Sequence, residues 1–257
     1  MANKMEIKTN NNQYLHIDHN QLTIELNKNL NSNIYKNLSK EQTLLNLELQ
    51  ENSILNLLTF NEFANTNCSI KAYIKANATL NIYNVILSNQ EVNLNQEVIL
   101  EEQGSNCHIV NVIINREKGI VNSKIDVYHP VKHTTSLIEN YAIAEEESKI
   151  NLDNNATIKQ KASSSDARQM SKGLTIGKNA SIKAQPNLFI DEYDVTASHS
   201  ASIGSLNQED LFYLMSRGLP EAEASRIMTL SYIQPLLDYI TDEEIKNNIF
   251  NAILKTL

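Results

Sequence analysis

The sequence contains few of the residues that cross-link or sharply bend small secreted folds. Its 257 residues include only 6 Gly, 4 Pro and 2 Cys, with no Trp. Cys68 and Cys107 are too few for a disulfide framework and are not closely spaced, so we expect a reducing compartment. No stretch approaches the ~20 apolar residues of a membrane span, and Met1 to Asn12 lacks the apolar run of a signal peptide. These absences predict a cytoplasmic protein with no membrane partner.

The sequence also has fewer basic than acidic residues. The chain has 22 Lys and Arg against 30 Asp and Glu, a net charge of −8, which argues against binding to nucleic acid because such binding needs a basic surface. There is no Walker motif, no GxGxxG and no Ser-His-Asp arrangement. Intrinsic ATP hydrolysis and hydrolase chemistry therefore have no support.

Asparagine is unusually frequent, with 36 residues spread from Asn3 to Asn251. Coding bias is one explanation. The other is structural: Asn tolerates left-handed backbone conformations and caps turns, so a fold with many tight turns accepts it.

Short alternating apolar runs fill the chain from about Gln13 to Gly204, for example Leu22 to Leu26 and Leu44 to Leu49. This period-two alternation predicts strands, and the polar connections leave no room for βαβ units. A short motif recurs in which a small or polar turn is followed by an aliphatic residue, as in Asn77 to Leu80 and Asn155 to Ile158. This motif is typical of a β-helix. We expect roughly 20 residues per coil and on the order of nine coils. A β-sandwich is the alternative.

The pattern changes after Gly204. Leu211, Phe212, Leu214 and Met215 stand at helical spacing, and Gly218 ends that helix. A second helix is predicted from Pro220 to about Ile240 with a kink at Pro235, and Thr241 with Glu244 forms a capping box for a third helix ending near Leu257. We therefore expect a β-helix core domain over 1–204 and a helical region over 205–257.

Several ordered motifs in the second half are recognisable together. They are Tyr128-His129, His133 to Ser136, Ser165 to Gly177, Pro186 to Gly204 and Leu211 to Leu219. This string resembles the SufB/SufD family, the scaffold components of the SUF iron–sulfur cluster assembly machinery. The resemblance covers about Tyr128 to Tyr232.

The resemblance implies a right-handed parallel β-helix that works with the ATPase SufC. It implies that Asn207 to Ile240 contacts the ATPase and that Thr175 to Gly204 pairs with a second protomer, either a SufB-like chain or a second copy of this one. The chain does not show the long N-terminal helical extension of typical members.

Family motifs also suggest the site residues. SufB members carry a Cys near the Arg-Gln stretch, but Ala167 to Gly173 has none, so the chain resembles the SufD type. His199 stands in the family's Ser-His-Gly-Ala motif, here Ser198-His199-Ser200-Ala201, which makes its imidazole a candidate ligand of a transiently bound iron–sulfur cluster at the protomer interface. The mixed aromatic, aliphatic and Arg composition of the first helix is typical of interface anchors, and the candidate partner-binding residues are Leu211, Phe212, Tyr213, Met215, Arg217 and Leu219.

Three other groups of residues could carry chemistry: two histidines, two cysteines and an acidic cluster. His129 and His133 face one side if they share a strand, which would suit a metal, although Pro130 disrupts that geometry. Cys68 and Cys107 are candidate iron ligands, with burial in the solenoid wall as the simpler interpretation.

Asp191, Glu192 and Asp194 suit a solvated turn better than a catalytic pair. The alternative function is a β-helical carbohydrate-active enzyme or acyltransferase. The sequence shows neither the hexapeptide repeats of such acyltransferases nor the export signal of a secreted carbohydrate-active enzyme.

Overall fold

A computed structural model describes residues 3–38 and 42–257, so Met1 and Ala2, where the first predicted domain begins, lie outside the described residues. Strands occupy the chain as far as Gly204, and helices follow. The strands are β1 (Asn3–Ile7), β2 (Asn11–His16), β3 (Gln21–Leu26), β4 (Asn31–Asn37), β5 (Gln42–Leu49), β6 (Ile54–Glu62), β7 (Thr66–Ile74), β8 (Thr79–Ser88), β9 (Glu91–Leu100), β10 (Asn106–Asn115), β11 (Ile120–His129), β12 (Thr135–Glu145), β13 (Lys149–Ile158), β14 (Ser165–Ile176), β15 (Ser181–Ile190) and β16 (Val195–Gly204). The helices are α1 (Gln208–Ser216), α2 (Glu221–Leu237) and α3 (Glu243–Thr256).

The strands form two parallel sheets. One, the odd sheet, runs in the order β1-β3-β5-β7-β9-β11-β13-β15, and the other, the even sheet, runs β16-β14-β12-β10-β8-β6-β4-β2. Each strand pairs in parallel with the strand two positions away in sequence, so each coil of chain adds one strand to each sheet. This confirms the β-solenoid, and the β-sandwich alternative is wrong because consecutive strands do not pair with each other.

The coils lengthen steadily along the solenoid. Side chains hydrogen-bonded from one coil to the next are 23 positions apart at Asn33 and Asn56, 27 at Asn84 and Asn111, and 31 at Asn140 and Ser171. The predicted coil of roughly 20 residues therefore holds only near the N-terminal end. Because the number of residues per coil increases, the recurring turn motif has no fixed period in the sequence.

Aliphatic side chains fill the lumen between the sheets. Along β3, Leu22, Ile24 and Leu26 alternate with more exposed residues, as a period of two requires, and each fully buried Leu or Ile is worth roughly 1.5–3 kcal/mol. At one set of corners Asn29, Asn52 and Asn77 have positive φ angles of 54° to 59°. The expectation that Asn serves tight turns is correct at these corners, where its short side chain tolerates the left-handed region.

Other asparagines have a different role, which the sequence did not reveal. Inside the lumen one ladder of side-chain hydrogen bonds runs from coil to coil through Thr59, Asn84, Asn111, Asn140 and Ser171. On the outer face of the odd sheet a second ladder joins Asn67, Asn93, Asn122 and Asn151. Because parallel strands in register stack equivalent positions, each Asn side chain donates to the polar side chain on a neighbouring coil. In the lumen ladder the amides donate to the following coil, and in the outer ladder they donate to the preceding coil.

The helices pack on the outer face of the even sheet. One hydrophobic cluster combines Val85, Val112 and Ile143 of the sheet with Ile233 of α2 and Ile249 of α3. β16 ends at Gly204 and α1 begins at Gln208, and the helices share this core with the strands. No helix within residues 3–38 and 42–257 has the length and apolarity needed to cross a membrane.

The helix boundaries lie close to those predicted, with one correction. Asn207 caps α1 by accepting the Glu209 amide at Oδ1, 2.9 Å away. The cap of α3 is Asp242 and not the predicted Thr241, because the Asp242 carboxylate accepts the amides of Glu244 and Ile245, each at 3.0 Å. An Asp at this position satisfies two helix amides and adds a negative charge at the helix N-terminus.

Candidate functional site at the open end of the solenoid

The last coil of the solenoid is uncovered at its C-terminal edge. β15 pairs only with β13 and β16 only with β14, and neither strand has a further partner within the described part of the chain. Such edges present unpaired backbone N–H and C=O groups that can pair with another strand. We call β15 and β16 together the open end.

The lumen at the open end is apolar and accessible. Ile182 and Ile203 face it from opposite sheets, since a Cβ placed on Gly173 would lie 3.0 Å from the Ile182 side chain and 3.1 Å from that of Ile203. Ile203 is 41% exposed although it faces inward, because no further coil covers it. An inward-facing apolar surface left open is typical of an interaction site.

His199 lies in the middle of β16, at the open end of the lumen, which we call the mouth. It pairs in register with Gln169 of β14, which is buried in the lumen, so the His199 side chain points to the same inner side. It is exposed because β16 is the last strand. Within the described residues its imidazole makes no hydrogen bond or ion pair. An accessible imidazole of this kind is chemically able to bind a metal.

A buried polar layer lies one coil below His199. It consists of Asn154, Gln169 and Ser171, all inside the lumen. The Gln169 amide nitrogen donates to the backbone carbonyl of Asn187 at 3.1 Å, while its Oε1 has no partner, and the Oδ1 of Asn154 also has none. Sequence reasoning did not single out these residues, because nothing in a strand of alternating polarity marks which polar residue faces inward.

The first helix presents a second exposed surface. Phe212, Tyr213 and Met215 are 73%, 56% and 41% exposed. The Arg217 guanidinium stacks over the Tyr213 ring at 5.2 Å and donates to its hydroxyl at 3.3 Å, which holds the two side chains together. We call Phe212, Tyr213, Met215 and Arg217 the α1 surface.

Two of the predicted partner-binding residues differ from this group. Leu219 is only half-buried and adjoins the α1 surface in sequence. Leu211 is 7% exposed, so its side chain packs inside the protein and is not available to a partner. The reason is helical geometry, since Leu211 lies on the face of α1 opposite to Tyr213.

The paired histidines do not form a metal site. His129 is fully buried, and its ring nitrogens lie 2.8 Å from the Thr134 hydroxyl and 2.9 Å from that of Ser136. Burial lowers the pKa of His129 to about 4, so the ring is neutral near neutral pH. His133 lies in the following turn with a φ of 57° and is not on the same strand face.

The cysteines are part of the core. Cys68 and Cys107 are both free and buried in the lumen. Burial raises the pKa of each thiol to about 12, although Lys36 acts in the opposite direction on Cys68. Neutral buried thiols are poor metal ligands, because the thiolate is the form that binds. The interpretation of both residues as small buried hydrophobes is therefore correct.

The acidic residues after β15 form a turn, as predicted. Asp191, Glu192 and Asp194 lie in the connection between β15 and β16. Glu192 accepts the backbone amides of Tyr193 and Lys161, each at 2.8 Å, and these hydrogen bonds hold the pKa of Glu192 below its usual value. Within 3–38 and 42–257 no three His, Cys, Asp or Glu residues converge in a way that would hold a metal ion.

Comparison with known proteins gives a family match over most of the chain. The family described as SUF system FeS cluster assembly, SufBD core domain, matches residues 7–232. This range extends well upstream of Tyr128, where the recognisable motifs begin, and it includes the open end, α1 and most of α2.

Named relatives are similar over shorter segments. The iron–sulfur cluster assembly protein SufD of Bacillus subtilis is 30% identical over 142 residues, which are 55% of this chain and 32% of that protein. SufD of Escherichia coli is 30% identical over 96 residues, which are 37% of this chain and 23% of that protein. The chloroplastic protein ABCI7 of Arabidopsis thaliana is 25% identical over 143 residues, 56% of this chain and 30% of that protein. The chain thus matches a third or less of the length of each.

Proposed function

Because this chain belongs to the SufB/SufD core-domain family and is SufD-like, we propose that it is a noncatalytic scaffold subunit of SUF iron–sulfur cluster assembly. In this proposal the open end pairs with a second SufB/SufD-type protomer and the C-terminal helices dock a SufC-type ATPase. The observation that carries it is the placement of His199 at an uncovered, apolar solenoid end within the matched family segment.

Pairing through the open end is supported by the unpaired strand edges and the apolar lumen that are exposed there. Exposed edge strands promote association with other strands, and β15 and β16 are two such edges side by side. A second solenoid placed end to end would cover Ile182, Ile203 and both strand edges at once. The partner is then either a SufB-like protomer or a second copy of this chain.

ATPase docking is supported by the α1 surface. It combines two exposed aromatic rings, a Met and an Arg, the residue types enriched at the centres of protein interfaces. It lies on a helix that follows the open end directly in sequence, separated from β16 only by residues 205–207. Movement of a docked ATPase would therefore be transmitted to the protomer interface over a short distance.

The cluster is cargo of the assembly in this proposal. His199 supplies one ligand at most, whereas a cluster is usually held by four ligands, mostly Cys thiolates. The two cysteines of this chain are buried away from the mouth, so further ligands must come from the partner protomer. A cytoplasmic location belongs to the same proposal, and two unpaired cysteines are compatible with a reducing compartment.

The scaffold role is tested by co-expression of the tagged chain with the SufC-type ATPase of the same organism, followed by affinity capture and native mass measurement. We expect an ATPase complex. Its mass will show whether the second protomer is a copy of this chain or a SufB-like chain added to the co-expression. Failure of two folded chains to associate would contradict the docking proposal.

Matched variants separate the two surfaces. Phe212→Ser with Met215→Ser should abolish ATPase capture and leave protomer pairing intact. Ile203→Lys should abolish pairing, because it places a charge in the apolar mouth. Ile120→Lys is the control for Ile203→Lys, since Ile120 is 39% exposed and Ile203 41%, but Ile120 lies on the outer face of the odd sheet. We expect this control to keep both associations.

The ligand role of His199 has its own test. His199→Ala should leave folding and ATPase capture unchanged while cluster assembly by the complex falls at least tenfold. Unchanged assembly would exclude His199 as a ligand without affecting the scaffold proposal.

A further inference from the structure

Gln169 and His199 are direct neighbours across the β14–β16 pairing. They are register partners on adjacent parallel strands, which lie about 4.8 Å apart. Both side chains point to the inner side of the coil, since Gly173 on β14 and Ile203 on β16, each four residues further along, are in register there and face the lumen. The Gln169 amide is therefore the polar group on the coil directly beneath the imidazole.

The orientation of the Gln169 amide is determined by its other contact. Its Nε2 lies 3.1 Å from the backbone carbonyl oxygen of Asn187. A backbone carbonyl only accepts hydrogen bonds, so the amide nitrogen must face it, and Oε1 is the group left over. Gln169 is 3% exposed and its Oε1 has no partner. A buried acceptor without a partner is unfavourable, so this oxygen can take a hydrogen bond from a nearby donor.

His199 is the available donor. Its imidazole has no hydrogen-bond partner within the described part of the chain, and rotation about its side-chain bonds brings a ring N–H toward the coil below. Metal-binding histidines commonly donate the second ring N–H to a carbonyl or carboxylate, which sets the tautomer and the direction of the ligating nitrogen. A Gln carbonyl oxygen beneath the ring matches this role.

We propose that Gln169 is a positioning residue for His199. Its Oε1 accepts a hydrogen bond from one ring N–H, which selects a single neutral tautomer and turns the lone pair of the other ring nitrogen out of the lumen mouth. The use of that lone pair for iron rests on the proposed function. The hydrogen bond itself does not depend on it.

The test is the imidazole tautomer, measured by ¹⁵N NMR of the metal-free 257-residue chain at pH 8.5, where an unperturbed imidazole is neutral. The His199 signals are assigned by their loss in His199→Gln. In the parent protein we expect one protonated and one unprotonated ring nitrogen. Gln169→Met, which removes the acceptor, should give averaged shifts of a tautomer mixture.

The matched control is Asn154→Leu. This change also removes an unpartnered buried acceptor from the same layer, but Asn154 pairs in register with Pro186 and not with His199. We expect it to keep the single tautomer. Mixed tautomers in the parent protein, no change in Gln169→Met, or an equal effect of Asn154→Leu would each overturn the positioning role.

Cluster assembly by the same variants separates this inference from the proposed function. If Gln169→Met mixes the tautomers and also lowers assembly, both stand. If it mixes the tautomers while His199→Ala leaves assembly unchanged, Gln169 still positions His199 and the ligand role of His199 is wrong.

Discussion

Asn111 donates from its side-chain nitrogen to the side-chain oxygen of Asn140, 2.7 Å away, in the interior of the solenoid. Its own oxygen accepts from Asn84 at 2.6 Å, and all three residues are at most 1% exposed. The ladder thus satisfies polar groups that would otherwise be buried without partners between aliphatic layers. Every amide in it points its nitrogen toward the open end.

Removal of the middle amide should be costly. Asn111→Leu leaves a donor on Asn84 and an acceptor on Asn140 without partners, so we expect the free energy of unfolding to fall by about 2–4 kcal/mol in urea titrations. Asn93→Leu is the control, because Asn93 has the same two ladder contacts on the solvent-facing side of the odd sheet. Water can replace those contacts, and we expect a loss below about 1 kcal/mol. Equal losses would show that burial does not govern the ladder.

His129 should make stability depend on pH. Burial lowers its folded-state pKa to about 4, and an unfolded imidazole titrates near 6.5. The unfolded state therefore binds a proton first as the pH falls. The contribution of the neutral, buried His129 to the free energy of unfolding is fully present above pH 6.5. It is lost progressively down to about pH 4, a change of roughly 3 kcal/mol.

The measurement is the urea midpoint of the parent and of His129→Asn between pH 7.5 and 4.5. The difference between the two proteins should shrink as the pH falls, since only the parent carries the buried imidazole. A difference that stays constant across this range would contradict the prediction.

The two thiols should be unreactive in the folded protein. Because burial raises the pKa of both Cys68 and Cys107 to about 12, iodoacetamide at pH 8 should modify neither, as measured by mass spectrometry. In urea both should react within minutes. Rapid labelling of either residue in the native protein would mean that its coil opens readily, and would reopen the question of a thiolate ligand.

The cap of α3 can be checked by a pair of substitutions. Asp242→Ala removes the acceptor of the Glu244 and Ile245 amides and should cost about 1 kcal/mol of unfolding free energy. Asp242→Asn keeps a capping oxygen and should recover most of that loss. If the Ala and Asn variants are equally destabilised, the effect comes from the charge of Asp242 and not from its cap.

Local patterns were sufficient for the main elements. Period-two alternation predicts the strands from about Gln13 to Gly204 but not β1, helical spacing predicts α1 to α3, and the motifs from Tyr128 onward place the chain near its family. These features depend on residues that lie close together in sequence, so the sequence shows them directly. For the same reason helical spacing is enough to separate the exposed Tyr213 and Arg217 from the buried Leu211, while partner binding by the α1 surface stays a prediction.

The features that required the tertiary structure all depend on register between coils. Register decides that Gln169 lies beneath His199, that the asparagines stack into ladders, and that the coils grow from 23 to 31 residues. Residues some 20–30 positions apart become neighbours only once a coil closes, and the length of that coil is set by packing across the lumen. The sequence by itself determined which elements form, and the stacking of the coils decided which side chains meet.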